Sequence, residues 1–215
     1  MAPPAGEQDR PRPRPPGKRG AWGPGGGKIR LDGASLAQYD PTLFGTLIGY
    51  LPQRVELFDG TIAENIAKLS KAPDSEAIVT AAKRADAHAM ILKLPDGYDS
   101  RVSANGGRLS GGQIQRIGLA RAMYGDPVLL ILDEPNSNLD NDGGIALNRA
   151  IKGFKERGGS VLIMAHRPAA IEECELLLML EDGRLMAFGP KDEVLRKVTQ
   201  NHAQLASKPA PKGDG

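Results

Sequence analysis

Val128-Leu129-Leu130-Ile131-Leu132-Asp133-Glu134-Pro135 is a run of five apolar residues closed by two carboxylates and a proline. A run this short has the length of a buried strand in a parallel sheet. Its two acids then stand at the strand's carboxyl end, the edge of such sheets where ligands gather. An Asp-Glu pair alone reads equally well as a solvated strand end. Weight comes from an upstream string, Leu109-Ser110-Gly111-Gly112-Gln113, whose glycines let backbone approach an anion. Ile114-Gln115-Arg116 then opens a helix whose free amides and dipole favour negative charge. Ser-Gly-Gly by itself is more simply a glycine turn at a helix start. The complete string, followed by Leu119-Ala120-Arg121-Ala122, reverses that order.

Working outward, strand-like and helix-like segments alternate, the signature of a parallel sheet covered by helices. Strands are expected at Lys28 to Asp32, Ile48 to Leu51, Val128 to Leu132 and Ser160 to Met164. Leu176 to Glu181 and Arg184 to Phe188, around Asp182-Gly183, read as a hairpin. Helical spacing marks Thr61 to Leu69, Ser75 to Leu92 with Ser75 as cap, Gly111 to Tyr124, Ile145 to Arg157 closed by Gly158-Gly159, and Lys191 to Leu205. The helices of about residues 61–124 form a small subdomain on this reading. Residues 1–27 are rich in proline, glycine and arginine and nearly devoid of apolar side chains, a composition that reads as disordered. Residues 207–215 read the same way, leaving a core of residues 28–206.

The 215 residues suit one domain, and a formal charge of +2 names no nucleic acid or anionic membrane as partner. One cysteine, Cys174, cannot form an internal disulfide, so a reducing compartment is the default expectation. The longest apolar runs, Val128 to Leu132 and Leu176 to Leu180, fall far short of the roughly 20 residues a spanning helix needs. A signal-peptide core is also missing from the first residues.

Four further positions carry chemistry. In phosphoryl transfer an aspartate placed like Asp133 anchors magnesium, and a neighbouring carboxylate such as Glu134 polarises the attacking water. His166 follows the strand Ser160 to Met164 in Ala165-His166-Arg167-Pro168. A lone histidine is more often structural, but this one falls at the same sheet edge, where an imidazole can bond a terminal phosphate. Gln53, after Gly49-Tyr50-Leu51-Pro52, offers an amide oxygen to magnesium or water. Ser137-Asn138-Leu139-Asp140 is an ordinary turn by composition, notable for lying directly after the acid pair.

Taken in order, these strings resemble the nucleotide-binding domain of ABC transporters from about Gly20 to Leu205. On that resemblance Gln53 matches the Q-loop, Leu109 to Gln113 the signature motif, and Val128 to Glu134 the Walker B strand with its catalytic glutamate. Ser137 to Asp140 matches the D-loop and His166 the switch histidine. Ile48 to Gln53 and Glu56-Leu57-Phe58-Asp59-Gly60-Thr61-Ile62-Ala63-Glu64-Asn65-Ile66 resemble exporters, particularly the ATPase half of type I secretion permeases. The resemblance implies an α/β, P-loop NTPase-like parallel-sheet core with a helical subdomain, and ATP with Mg2+ as cofactors. Catalysis falls to Glu134 and His166, metal binding to Asp133 and Gln53. Nucleotide contact falls to Gln53, Ser110, Gly111, Gly112, Gln113 and Asp140. A second such domain, docked head to tail, and a membrane-spanning permease are the implied partners, at the cytoplasmic face of the inner membrane.

The pattern has one large gap. Nowhere do these 215 residues contain Gly-x-x-x-x-Gly-Lys-Ser/Thr, the loop whose amides cradle phosphates. Pro16-Gly17-Lys18-Arg19 lacks the hydroxyl, and the prolines before it remove amides. The aromatic residue that stacks on adenine in the family is also missing, and Asn136 stands where a threonine is usual. The chain is therefore expected to be a truncated domain with the N-terminal part of its core incomplete, a frameshift across Glu7 to Gly17 being one account. Autonomous hydrolysis is not expected, and the alternative role is a non-hydrolysing module that lends its signature motif to a complete partner. Loss of the strand and helix that carry the loop should expose core surface.

Overall fold

The computed structural model describes residues 29–103, 109–137 and 139–197. Expectations for residues 1–27 and 207–215, for Lys28, Asn138 and the motif-like Pro16 to Arg19, and for the helix beyond residue 197 lie outside the described residues. The chain divides into two compact units between Phe44 and Gly45.

In the first unit, β1 (Arg30–Leu31) and β2 (Ala34–Ser35) pair antiparallel around Asp32 and Gly33, both at positive φ. The expected strand from Lys28 to Asp32 is thus a short hairpin arm that turns at Asp32, as two successive left-handed residues require. The Tyr39 hydroxyl donates to Leu31 O at 2.8 Å. Asp40 then caps α1 (Pro41–Leu47), its Oδ1 accepting from the amides of Thr42 and Leu43.

The second unit is built on a parallel sheet of β3 (Ile48–Leu51), β6 (Leu129–Asp133) and β7 (Ser160–Met164), with β6 in the centre. Leu51 pairs with Leu132, and Leu132 with Ile163, so the three carboxyl ends lie at one edge. Between β3 and β6 run β4 (Gly60–Thr61), α2 (Ile62–Ile66), α3 (Ser75–Arg84), α4 (His88–Ile91), β5 (Arg101–Val102) and α5 (Gly111–Met123). α6 (Asn141–Glu156) joins β6 to β7; β8 (Leu176–Glu181) and β9 (Arg184–Pro190) form a hairpin; residues 191–197 are helical.

Helix boundaries follow the local chemistry. Asp74, not Ser75, caps α3, accepting from the amides of Glu76 and Ala77. The continuous helix expected from Ser75 to Leu92 is broken: Asp86 takes φ +53, Asp86 N bonds Lys83 O, and Ala87 N bonds Ala82 O. That closure usually signals itself by glycine, and here an aspartate hides it. The helix expected over Thr61 to Leu69 stops at Ile66, because Lys68 and Leu69 both turn left-handed. α6 starts earlier than its apolar spacing shows, since Asp140 caps it through Gly143 N at 2.8 Å. It ends as the glycine pair demands, with Gly158 N bonded to Lys155 O and Gly159 N to Phe154 O. Asp182 and Gly183, both at positive φ, make the β8–β9 turn as expected.

Among the described residues, one face of the parallel sheet packs against α5 and α6. Gly49, Leu51, Leu130 and Leu132 point into the core with the buried residues of α5 and α6. A Cβ on Gly49 would lie 2.1 Å from Ala122 O, so glycine sets how closely β3 and α5 approach. On the opposite face Tyr50, Ile131 and Leu162 stand in one cross-strand row. Tyr50 and Leu162 are 53% and 54% exposed, and Met164 beyond them is 43% exposed. Parallel sheets ordinarily have both faces buried. Among the described residues no helix is long and apolar enough to cross a membrane.

Candidate functional site at the carboxyl edge of the parallel sheet

Parallel register brings the sequence-predicted acids and histidine together. β6 ends at Asp133 and β7 at the paired Met164, with Glu134 N donating to Met164 O at 2.8 Å. Two residues beyond the end of β7, His166 Nδ1 meets Glu134 Oε1 at 2.5 Å. The carboxylate can only accept, so Nδ1 carries a proton, and in the neutral form of the ring Nε2 is left as an acceptor. Nε2 donates to a phosphate only when the ring is protonated or has released Glu134. Glu134 is largely buried, its side chain 17% exposed, whereas the His166 side chain is 68% exposed. Glu134 also holds φ +47, a left-handed conformation costing a non-glycine residue about 1–3 kcal/mol. Such strain collects where surrounding structure fixes a functional side chain.

The turn after Glu134 is braced from behind. Ser137 N donates to Glu134 O at 3.0 Å, and Gln115, buried in α5, donates its Nε2 to Pro135 O at 3.2 Å. Sequence reading missed Gln115. Its signal was a polar residue on the helix face that also presents Gly118, Leu119 and Ala122, all buried. Asn136 Oδ1 and Ser137 Oγ are buried here with no hydrogen-bond partner among the described residues. Buried orphan polar atoms beside carboxylates call for a polar ligand or ordered water.

Other predicted residues reach this edge in varying degree. Gln53 follows Leu51 by two residues, as Glu134 follows Leu132, so the register sets both at the same sheet edge, and Gln53 is exposed. Asp140 has its carboxylate engaged as the α6 cap. The signature residues form a helix start: Ser110 Oγ accepts from Gln113 N, and Gln113 Oε1 accepts from Ser110 N. Ser110 and Gly111 are exposed, and the Gly111 and Gly112 amides have no acceptor among the described residues. This half of the arrangement presents free donors to an anion.

A family model described as ABC transporter matches residues 20–137, more than half of the chain. The chain belongs to the ABC transporter family. It is 53% identical over 179 residues to the type I secretion system ATP-binding protein PrsD of Rhizobium meliloti (strain 1021), covering 83% of this chain and 31% of that protein. It is 38% identical to the ATP-dependent lipid A-core flippase of Burkholderia orbicola (strain AU 1054), covering 80% and 29% respectively. Among solved structures, a bacterial Atm1-family ABC exporter with ATP bound superposes with a TM-score of 0.76 at 30% identity, covering 87% of this chain and 33% of the other. The chain spans a third or less of the length of these relatives. The ABC α/β fold, with its parallel sheet, is that expected from the Walker B and signature strings.

Proposed function

We propose that this chain is nucleotide-binding machinery of an ABC exporter of the type I secretion kind, coupling ATP hydrolysis to transport at the cytoplasmic face of the inner membrane. Support comes chiefly from the 2.5 Å contact between His166 and Glu134 beside Asp133, at the carboxyl edge of a parallel sheet. Asp133 and Gln53 are the residues that would hold Mg2+, and Glu134 the one that accepts a proton from attacking water. The donor set fits: a carboxylate and an amide, both oxygen ligands, set at one sheet edge by the strand register. That suits a metal bound through one or two carboxylates and completed by phosphates and water. Bound Mg2+ would neutralise phosphate charge. His166 would donate through Nε2 to the terminal phosphate once its ring is protonated or freed from Glu134, and the Gly111 and Gly112 amides would meet phosphate across a head-to-tail dimer. With no Gly-x-x-x-x-Gly-Lys-Ser/Thr in the 215 residues, an unrecognised segment or a partner in the dimer would supply the phosphate cradle.

A second reading rests on the exposed Ser110 and Gly111: the chain lends its signature helix start to a complete partner and does not hydrolyse ATP itself. One experiment separates the two. Magnesium-dependent ATP binding and turnover are measured for the purified chain, alone and mixed with the intact Rhizobium relative's nucleotide-binding domain. Turnover abolished by Glu134→Gln of this chain supports the first reading. Stimulation lost with Ser110→Ala but indifferent to Glu134→Gln supports the second. No binding and no stimulation would refute both.

A further inference from the structure

The stretch from Gln53 to Phe58 has no strand or helix of its own, and it is seated along α5. Its fixed points come from two contacts. At Gly118 an added Cβ would lie 2.7 Å from Val55 Cγ1 and 3.1 Å from Leu51 Cδ1, so Val55 fills the space glycine leaves. One turn on, Arg121 spreads its guanidinium over three acceptors. Nε donates to Asn65 O at 2.9 Å, Nη1 to Glu56 O at 2.9 Å and Nη2 to Asn65 Oδ1 at 2.8 Å, with the Phe58 ring centroid 5.1 Å away. Asn65, fully buried, completes the node. Its Oδ1 also accepts from Phe58 N, and its Nδ2 donates to Phe58 O and Thr61 O. Every donor and acceptor of that amide is used.

Stability alone does not account for this arrangement. Among the described residues no carboxylate pairs with Arg121, and burial pushes its pKa down from the ordinary value. A half-buried cation balanced only by carbonyl dipoles and a ring has no ion pair to offset its desolvation, so its contribution to stability is small. What the planar fork supplies is geometry: three directions at once, which an ammonium cannot match. We propose that Arg121, through Asn65, is a positioning residue that fixes the Gln53-bearing stretch to the helix whose start is Ser110, so that Gln53 and the signature glycines move as one body. Its functional part rests on the ATPase reading above; its structural part does not.

Hydrogen exchange of the full chain, followed by mass spectrometry, tests it with Arg121→Lys and with Asn65→Asp, which keeps shape but removes the two Nδ2 donors. The amides of residues 56–59 are expected to exchange about tenfold faster in both variants, with residues 129–133 and 160–164 unchanged. Unchanged exchange at 56–59, or a uniform rise throughout residues 45–197, overturns the proposal. In the mixture with the intact domain, Arg121→Lys is expected to lower kcat severalfold at unchanged KM for ATP, and equal loss in both parameters would count against positioning. If the wild-type chain leaves the intact domain's turnover unaltered, the ATPase reading fails, while the exchange pattern still decides the role of Arg121.

Discussion

His166 and Glu134 meet across the carboxyl ends of two neighbouring parallel strands, Nδ1 to Oε1 at 2.5 Å, with the carboxylate mostly buried and the ring mostly exposed. Because the carboxylate is an obligate acceptor, the neutral ring is held with its proton on Nδ1. Nitrogen-15 NMR of the labelled chain at pH 8 should therefore show His166 as the Nδ1–H form, against the Nε2–H form that predominates in a free imidazole. Glu134→Ala should return it to the Nε2–H form. A ring that is already Nε2–H in the wild type would mean that the contact is not made in solution. Where turnover is reconstituted through this site, Glu134→Gln should cost about 10²–10⁴-fold in kcat. Adding His166→Ala should cost less than the product of the two single losses, since both residues act through one contact.

Two glycines predict opposite signs. Gly49→Ala places a methyl 2.1 Å from Ala122 O and 2.5 Å from Leu130 Cδ2, forcing β3 off α5. A loss of about 1–3 kcal/mol or more is expected, as for other overpacked cores. Gly144, inside α6, has nothing within 4 Å of an added Cβ and no positive φ. Gly144→Ala should stabilise by about 0.5–1 kcal/mol through helix propensity alone. Urea titrations at matched m-value read both, and a destabilising Gly144→Ala would contradict the helix as described.

Why the sheet edge was legible and its supports were not follows from how far each signal travels along the chain. β3 and β7 have the bounds expected, because short apolar runs between turn residues need only local information. The Glu134–His166 meeting follows from strand order, which the motif order supplies. Asp86 in a left-handed C-cap, and the antiparallel β4–β5 pair, depend on tertiary contacts that override local propensity. Gln115, Asn65 and Arg121 are polar residues among apolar ones, and each could be found by asking what a buried amide or guanidinium must bond to. The partners, Pro135 O and Glu56 O, are backbone atoms that no side-chain pattern announces.

Cys174 lies in a loop tied down by Lys155, which donates to Glu173 O and pairs with Glu175, and by Lys191, which donates to Glu172 O. Burial pushes the Cys174 thiol up from its ordinary pKa, while nearby Lys155 pulls it down. Since the thiolate is the reacting form, iodoacetamide should label the folded chain more slowly than the urea-unfolded chain, with the rate rising at higher pH. Lys155→Met should raise that pH further. A thiol disfavoured as thiolate in the folded state contributes stability that is lost as pH rises above the ordinary thiol value. Glu175 has the opposite sign: its pKa is lowered first by the Lys155 hydrogen bond, so its contribution is present above the ordinary carboxylate value and disappears as pH falls through the folded one. Equal labelling rates with and without urea would show that the loop is open.

The apolar row exposed on the parallel sheet is where an incomplete core would have its physical consequence. Tyr50, Ile131 and Leu162 make a cross-strand apolar row on a parallel sheet, the class of sheet that is otherwise covered on both faces. The β8–β9 hairpin adds the register pair Leu178 and Phe188, 59% and 64% exposed. Contiguous exposure of this kind drives association. The purified chain should therefore self-associate with rising concentration in analytical ultracentrifugation and unfold in a broad, weakly cooperative transition. Leu162→Thr puts a strand-compatible, β-branched polar side chain on β7 and interrupts the row, and Phe188→Thr does the same on the hairpin. Both together should shift the sedimentation profile toward monomer without lowering the urea midpoint, because neither side chain is buried. A sharply cooperative wild-type monomer would mean that something in the full chain already covers this face, and the expectation of an incomplete core would then fall.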